Sequence, residues 1–247
     1  MAQMNAKSSL VILSALLIFV FSSCKKNSPQ DSGIKPADPT KQFKVIVLGS
    51  STAAGYKLAN PDLSFPNLLN NKLIKDKKNA EVINLAAPGY TTYQIMPVRA
   101  INLNGRPLPD MLKNIEAGLK YNPKLLIICM PTNDIALGFS EDEILTNYKV
   151  LVEMLDKANV EYLITGTQPR NFIEDSYRRR LTILNNELLE AYPGHVVDYL
   201  EELATNKNYI KDKYSNGDGI HINEDGHKVI FQKIINTPLF KDVFEYE

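Results

Sequence analysis

The chain has 247 residues, 44% of them hydrophobic, and its 28 basic and 28 acidic side chains cancel to a formal net charge of zero. That balance, with no basic run longer than Arg178-Arg179-Arg180, argues against a nucleic-acid partner, and the run itself reads as a solvated helix face. Of the two cysteines, Cys24 lies near the N-terminus and Cys129 in an aliphatic run, so the main domain has no disulfide to close. His195, His221 and His227 stand among no cysteine pairs, and no metal-ligand spacing is visible.

In chain order, Lys7 precedes an aliphatic run from Leu10 to Phe21 that only Ser14 interrupts. The run is shorter than the roughly 20 residues a helix needs to cross a bilayer, and it fits the apolar region of a secretory signal. Phe21-Ser22-Ser23-Cys24 resembles a bacterial lipobox, with Phe where Leu is commonest. This predicts cleavage before Cys24 and a lipid on that cysteine, hence an exported, membrane-anchored protein of the cell envelope. An ordinary signal peptide cut nearby and an uncleaved signal anchor are the alternatives. Residues 25–41, with Pro29, Pro36 and Pro39 among polar residues, read as a tether. Gln42 to Glu247 suits one domain.

Within that domain, apolar runs of strand length alternate with amphipathic stretches. Strands are predicted at Phe43–Leu48, Glu81–Ala86, Lys124–Met130, Val160–Thr165 and His195–Asp198. The third is almost wholly aliphatic, as a strand covered on both faces should be, and Cys129 within it reads as a small buried hydrophobe. A first helix is expected after a Ser64 cap, with Pro66 in its first turn and a stripe of Phe65, Leu68, Leu69, Leu73 and Ile74. Further helices are expected at Met111–Leu119, around Ile144–Leu155, at Tyr177–Leu189 and after Asn223. Strand-helix alternation of this kind predicts an α/β domain with about five parallel strands and helices on both faces. In such sheets the functional edge is the one at the carboxyl ends of the strands.

Four segments fall on that edge: Gly49-Ser50-Ser51 after the first strand, Ala86-Ala87-Pro88-Gly89-Tyr90 after the second, Pro131-Thr132-Asn133-Asp134 after the third, and Asp218-Gly219-Ile220-His221 before the last helix. A serine hydroxyl becomes nucleophilic when an imidazole takes its proton and an acceptor orients the ring. Asn133 offers an amide donor for an oxyanion, and Gly89 has no side chain to obstruct its own N–H. Each segment has an ordinary reading as a turn, a cap or a structural histidine. Their order and common edge are what give them weight. His195 opens a short strand, His227 reads as a surface residue of the last helix, and Asp134 reads as capping the following turn.

Together the four segments resemble the blocks of the SGNH (GDSL-type) hydrolase family, in order and spacing across the domain. The resemblance implies a flavodoxin-like three-layer fold and a serine ester hydrolase that needs no cofactor. It implies Ser51 as nucleophile, His221 as base and Asp218 as the group orienting it. Ser51, Gly89 and Asn133 would form the oxyanion hole. Ser50 replaces the family's usual aspartate and Pro131 a usual glycine, two changes that bear on the pocket's shape. The implied substrate is a small-molecule or glycan ester, with O-acetyl carbohydrate first in mind. An O-acyltransferase, a lysophospholipase or thioesterase, and a non-catalytic binding module of the same fold are the alternatives. Ile135-Ala136-Leu137-Gly138-Phe139 is the one apolar stretch near these segments that a long-chain groove could use.

Overall fold

The computed structural model describes residues 40, 43–99, 105–130 and 132–246. The lipobox at Cys24, nearly all of the tether and Pro131 lie outside the described residues. Five parallel strands form one sheet in the order β2-β1-β3-β4-β5. They are β1 (Phe43–Gly49), β2 (Ala80–Asn84), β3 (Leu125–Cys129), β4 (Glu161–Thr165) and β5 (Val196–Val197). The chain runs from β1 out to the edge at β2, then returns past β1 to β3. The switch of direction falls between β1 and β3, where doubly wound sheets open a crevice at their carboxyl ends.

Side-chain alternation along the strands divides the core into two halves. Ile46 and Leu48 of β1, with Leu126 and Ile128 of β3, face one layer; Val45 and Val47, with Leu125 and Ile127, face the other. The first layer holds α3 (Ile115–Leu119), α5 (Glu141–Ala158) and α6 (Asp175–Ala191). The second holds α1 (Phe65–Lys75), α8 (Glu224–Ile235) and α9 (Pro238–Phe244). Short helices α2 (Thr92–Ile95), α4 (Asn133–Ala136) and α7 (Leu200–Leu203) lie in the connections. Fully burying each large aliphatic side chain contributes about 1.5–3 kcal/mol, which is why the uninterrupted apolar run of β3 belongs at the centre. Among the described residues no helix is long and apolar enough to cross a membrane.

Several local expectations give way to tertiary contacts. The helix expected at Met111–Leu119 begins only at Ile115. Asp110 Oδ1 accepts from the N–H groups of Leu112 and Lys113, holding that stretch as a turn. Asn114 then caps the shorter helix through Ala117 N–H, and Met111 is left 71% exposed. Ile74 is 53% exposed and drops out of the α1 stripe, while Phe65, Leu69 and Leu73 are buried. Ser64 stands at the N-cap of α1, but its hydroxyl makes no capping bond. The Phe65 N–H, one of the first-turn donors, donates to His227 Nδ1 at 3.2 Å.

His227 is therefore no surface residue: it is 1% exposed, sealed between α8 and the start of α1. The Arg178-Arg179-Arg180 run is likewise only partly solvated. Arg178 is buried, donating to the carbonyl oxygens of Phe172, Ile173 and Lys207, and Arg180 forms a two-pronged pair with Glu141. A guanidinium has donors enough to satisfy several loop carbonyls at once.

Candidate active site

β1 ends at Gly49 because the chain must turn in contact with β3. A Cβ there would lie 2.5 Å from Ala53 Cβ and 3.0 Å from the Cys129 carbonyl oxygen. Ser50 N–H donates to that carbonyl at 3.0 Å, and Ala54, Gly55 and Tyr56 N–H close successive turns onto Ser50, Thr52 and Ser51. The nucleophile segment is thus a compact run of turns, with α1 starting only at Phe65. Ser51 sits in its first turn, largely enclosed.

The far end of the chain meets it. Ser51 Oγ lies 3.0 Å from His221 Nε2, and His221 Nδ1 lies 2.7 Å from Asp218 Oδ2. Because a carboxylate can only accept from the ring, Nδ1 carries the proton and Nε2 is free to accept from the hydroxyl. The turn itself creates this geometry. Asp218 Oδ1 accepts from the backbone N–H groups of Ile220 and His221, both at 2.8 Å, while Gly219 supplies a φ of +72°. Asp218 Oδ2 also accepts from Lys57 Nζ at 3.0 Å. Burial would raise this carboxyl. The His221 ring, the two backbone donors and the Lys57 ammonium outweigh it and hold Asp218 well below the usual carboxylate range. The Tyr56 ring meets the His221 ring edge-on at 5.4 Å.

After β2 the chain continues alongside β1, with Leu85 N–H donating to Val47 and Ala87 N–H to Gly49. Ala87-Pro88-Gly89-Tyr90 then closes a turn through Tyr90 N–H to Ala87 O at 3.3 Å, with Gly89 at φ +85°. Glycine is required here by that backbone angle, since an added Cβ would meet nothing within 4 Å. Among the described residues the N–H groups of Ser51 and Gly89 donate to no protein acceptor.

Asn133 opens α4 beyond β3. Its Nδ2 donates to Tyr90 O at 2.9 Å and its Oδ1 faces Arg170 Nη1 at 3.4 Å, which fixes the amide's orientation and leaves its second Nδ2 hydrogen available. Asp134 beside it does not cap a turn. It is buried and accepts from Thr92 N–H and Thr92 Oγ1, tying the Gly89 segment to the Asn133 segment. Burial, only partly offset by Thr92, pushes its carboxyl up to about 6.

Three residues outside the sequence-derived set complete the site. Gln168, buried after β4, accepts from Thr52 Oγ1 at 2.9 Å and donates to Ile220 O at 2.8 Å, bridging the serine turn and the histidine turn. Arg170 and Lys57 contact Asn133 and Asp218 as described. The signal that could have found Gln168 and Arg170 is their place after the fourth strand, on the same edge as the rest. His195 stacks on Tyr162 at 4.1 Å beside β5, away from these groups. Cys129 is buried and its thiol is pushed up to about 12 by desolvation, so it is a core residue. No group of three or more His, Cys, Asp or Glu side chains among the described residues could hold a metal ion.

A chain of serine, imidazole and carboxylate with uncommitted N–H donors nearby can activate a hydroxyl and stabilise an oxyanion. The comparisons agree with that chemistry. Residues 47–229 match the GDSL-like lipase/acylhydrolase family. Similar solved structures include a psychrotrophic esterase, EstA, from Pseudoalteromonas sp. (TM-score 0.59, 19% identity, covering 78% of this chain and 95% of that one). A GDSL-like lipase from Bacteroides thetaiotaomicron aligns at TM-score 0.58 and 18% identity, over 85% of this chain and 90% of its own. An acetyl xylan esterase, AlAXEase, aligns at TM-score 0.58 and 18% identity, over 77% and 97%. These three share the fold with this chain. No curated protein sequence matches it. On the strength of the family match, which spans most of the described domain, the chain belongs to the GDSL-like lipase/acylhydrolase family and is a serine ester hydrolase.

Proposed function

We propose that Ser51 is the nucleophile of this hydrolase, His221 its general base and acid, and Asp218 the carboxylate that orients the ring. The observation that carries the assignment is the continuous relay, 3.0 Å from Ser51 Oγ to His221 Nε2 and 2.7 Å from His221 Nδ1 to Asp218 Oδ2. Ser51 Oγ attacks the ester carbonyl as His221 takes its proton. The carbonyl oxygen gains charge and accepts from Ser51 N–H, Gly89 N–H and Asn133 Nδ2. The tetrahedral species collapses, His221 gives the proton to the leaving alcohol, and an acyl-Ser51 remains. Water then repeats the sequence and releases the acid.

The acyl group is small, and the preferred substrate is an O-acetylated carbohydrate. Two observations support this. Ile135 and Phe139, the bulky residues of the apolar stretch beside Asn133, are buried in the core, and only Leu137 of the large side chains there is exposed. The stretch therefore supplies no long apolar groove. Among the similar structures are the acetyl xylan esterase and a two-domain esterase active on acetylated mannans. A series of p-nitrophenyl esters from acetate to palmitate, with acetate release from acetylated xylan and mannan, tests the reading. A rate that rises toward palmitate overturns it. The enzyme is further proposed to be exported and held at the membrane by lipid on Cys24. Palmitate labelling of the wild type that is absent from Cys24→Ser supports the anchor, and a Cys24→Ser variant that stays membrane-bound sinks it.

A further inference from the structure

We propose that Arg170 is the substrate-recognition residue for a carboxylate carried by the ester, on its acyl or its alcohol part; this rests on Ser51 being the nucleophile. The segment holding Arg170 is clamped from several sides. Gly166 N–H donates to Val197 O, Gln168 bridges Thr52 and Ile220, and Asn171 N–H donates to Gly219 O at 2.8 Å. Asn171 Oδ1 in turn accepts from Ile210 N–H. The guanidinium lies over the Phe172 ring at 4.9 Å and reaches Asn133 Oδ1 at 3.4 Å, which sets it beside the oxyanion donor.

Arg106, Arg178 and Arg180 each pair with a carboxylate, Glu143, Asp175 and Glu141 respectively. Arg170 forms no such pair among the described residues, where the long contact to Asn133 is the only hydrogen bond its guanidinium makes. The acid that acts on it, Asp218, already serves His221, two backbone N–H groups and Lys57. With Lys57 and His221 already on Asp218, Arg170 is left with no carboxylate bonded to it among the described residues. Burial disfavours its charge, as its lowered pKa records. A half-buried guanidinium with unused donors is most stable against a carboxylate, which it can bind through two parallel N–H groups. Its place beside Asn133 puts such a carboxylate within a few bonds of the scissile carbonyl.

Two matched ester pairs test this. Mono-4-nitrophenyl glutarate against 4-nitrophenyl butyrate places the charge on the acyl part; 4-acetoxybenzoate against its methyl ester places it on the alcohol. The quantity read is the ratio of kcat/KM for the charged over the neutral member. The wild type is expected to favour the charged member of one pair by about 10- to 100-fold, the span of one charge-assisted hydrogen bond. In Arg170→Gln that ratio falls to about one, and Arg170→Lys keeps part of it. A wild-type ratio at or below one in both pairs, or a preference that survives Arg170→Gln, overturns the proposal. Should Arg170→Gln fail to fold, competition on the wild type decides. Glutarate or 4-hydroxybenzoate inhibiting neutral-ester hydrolysis more strongly than their methyl esters supports it, and equal inhibition overturns it. Failure of the nucleophile reading looks different: turnover persists in Ser51→Ala, or neither pair turns over, and both readings then fall. Ser51-dependent turnover without charge preference removes Arg170 alone.

Discussion

Two histidines stand close together in the chain, one in the turn ending at residue 221 and one inside α8, and their surroundings differ in every respect that matters. His221 keeps 8% of its surface, has Asp218 on one ring nitrogen and Ser51 on the other, and sits on a loop at the carboxyl edge of the sheet. His227 keeps 1%, has no carboxylate bonded to its ring, and uses Nδ1 to accept from Phe65 N–H at the start of α1. Burial, with only a minor opposing pull from Glu224, pushes its imidazole down to about 4. The contrast teaches that an imidazole's role is set by what holds its two nitrogens. An acid on one and a hydroxyl on the other make a proton relay. A backbone N–H on one, in a sealed space, makes a helix cap supplied from another part of the chain.

The sharpest way to break this contrast is to remove the relay. Ser51→Ala and His221→Ala should each lower kcat for p-nitrophenyl acetate by about 10⁴-fold or more with similar losses, because the two act as a unit. Thermal melts should stay close to wild type. A fluorophosphonate probe should label Ser51 alone, as peptide mapping will show, and Ser50→Ala should retain most activity. Activity near wild type in His221→Ala would erase the distinction between the histidines. Asp218→Asn removes the ring's orienting acceptor without touching the proton's path, so its loss should be roughly 10- to 100-fold smaller than that of Ser51→Ala.

Asn133→Ala should lower kcat by about 10²–10³-fold with little change in KM, the pattern of a donor that acts on the transition state. A changed KM at constant kcat would instead make it a ground-state contact. His227→Ala should do the opposite of His221→Ala. It should leave kcat nearly intact and lower stability by about 2–4 kcal/mol, since a buried Phe65 N–H loses its acceptor and the ring's packing goes with it. For a chain of this size that is a fall in Tm of roughly 5–15 °C.

The pH dependence sharpens the same point. The unfolded His227 takes a proton near its ordinary 6.5, the folded one only near 4, so between these values the unfolded state binds more protons and stability falls as pH falls. Asp134 has the reverse sign: its folded carboxyl, raised to about 6, binds the proton first, and stability falls as pH rises from about 4 toward 6. Comparing wild type with His227→Gln isolates the histidine's part. The stability advantage of the wild type should shrink by about 3 kcal/mol between pH 7 and pH 4 in denaturant titrations. An advantage that stays constant with pH would mean that His227 is not sealed from water.

Much of this was legible in the sequence. The aliphatic run from Leu125 to Cys129 can be stable only with both faces covered, and its alternation with amphipathic helices leaves a parallel sheet as the ready solution. Pro88-Gly89 and Asp218-Gly219 announce turns through their own backbone preferences, and turns after strands fall on one edge of such a sheet. What the sequence did not carry depends on partners remote in the chain. Asp110, held by the Tyr90 hydroxyl and by the Gln94 carbonyl from the preceding segment, captures local N–H groups and delays α3 until Asn114. Phe65 N–H finds its acceptor on the remote His227, and Ser64 makes no capping bond, since Pro66 at the second helical position has no N–H to give. Arg178 is buried because carbonyl oxygens of two separate loops converge on it. Gln168 and Arg170 carry no signal beyond their place after the fourth strand, because their significance lies in reaching Thr52, Ile220 and Asn133 across the sheet edge. Periodicity and turn chemistry act between near neighbours and so are written in the order of residues. Hydrogen bonds between distant segments, and the desolvation that shifts Asp134 and His227 in opposite directions along the pH scale, come into existence only when the chain is folded.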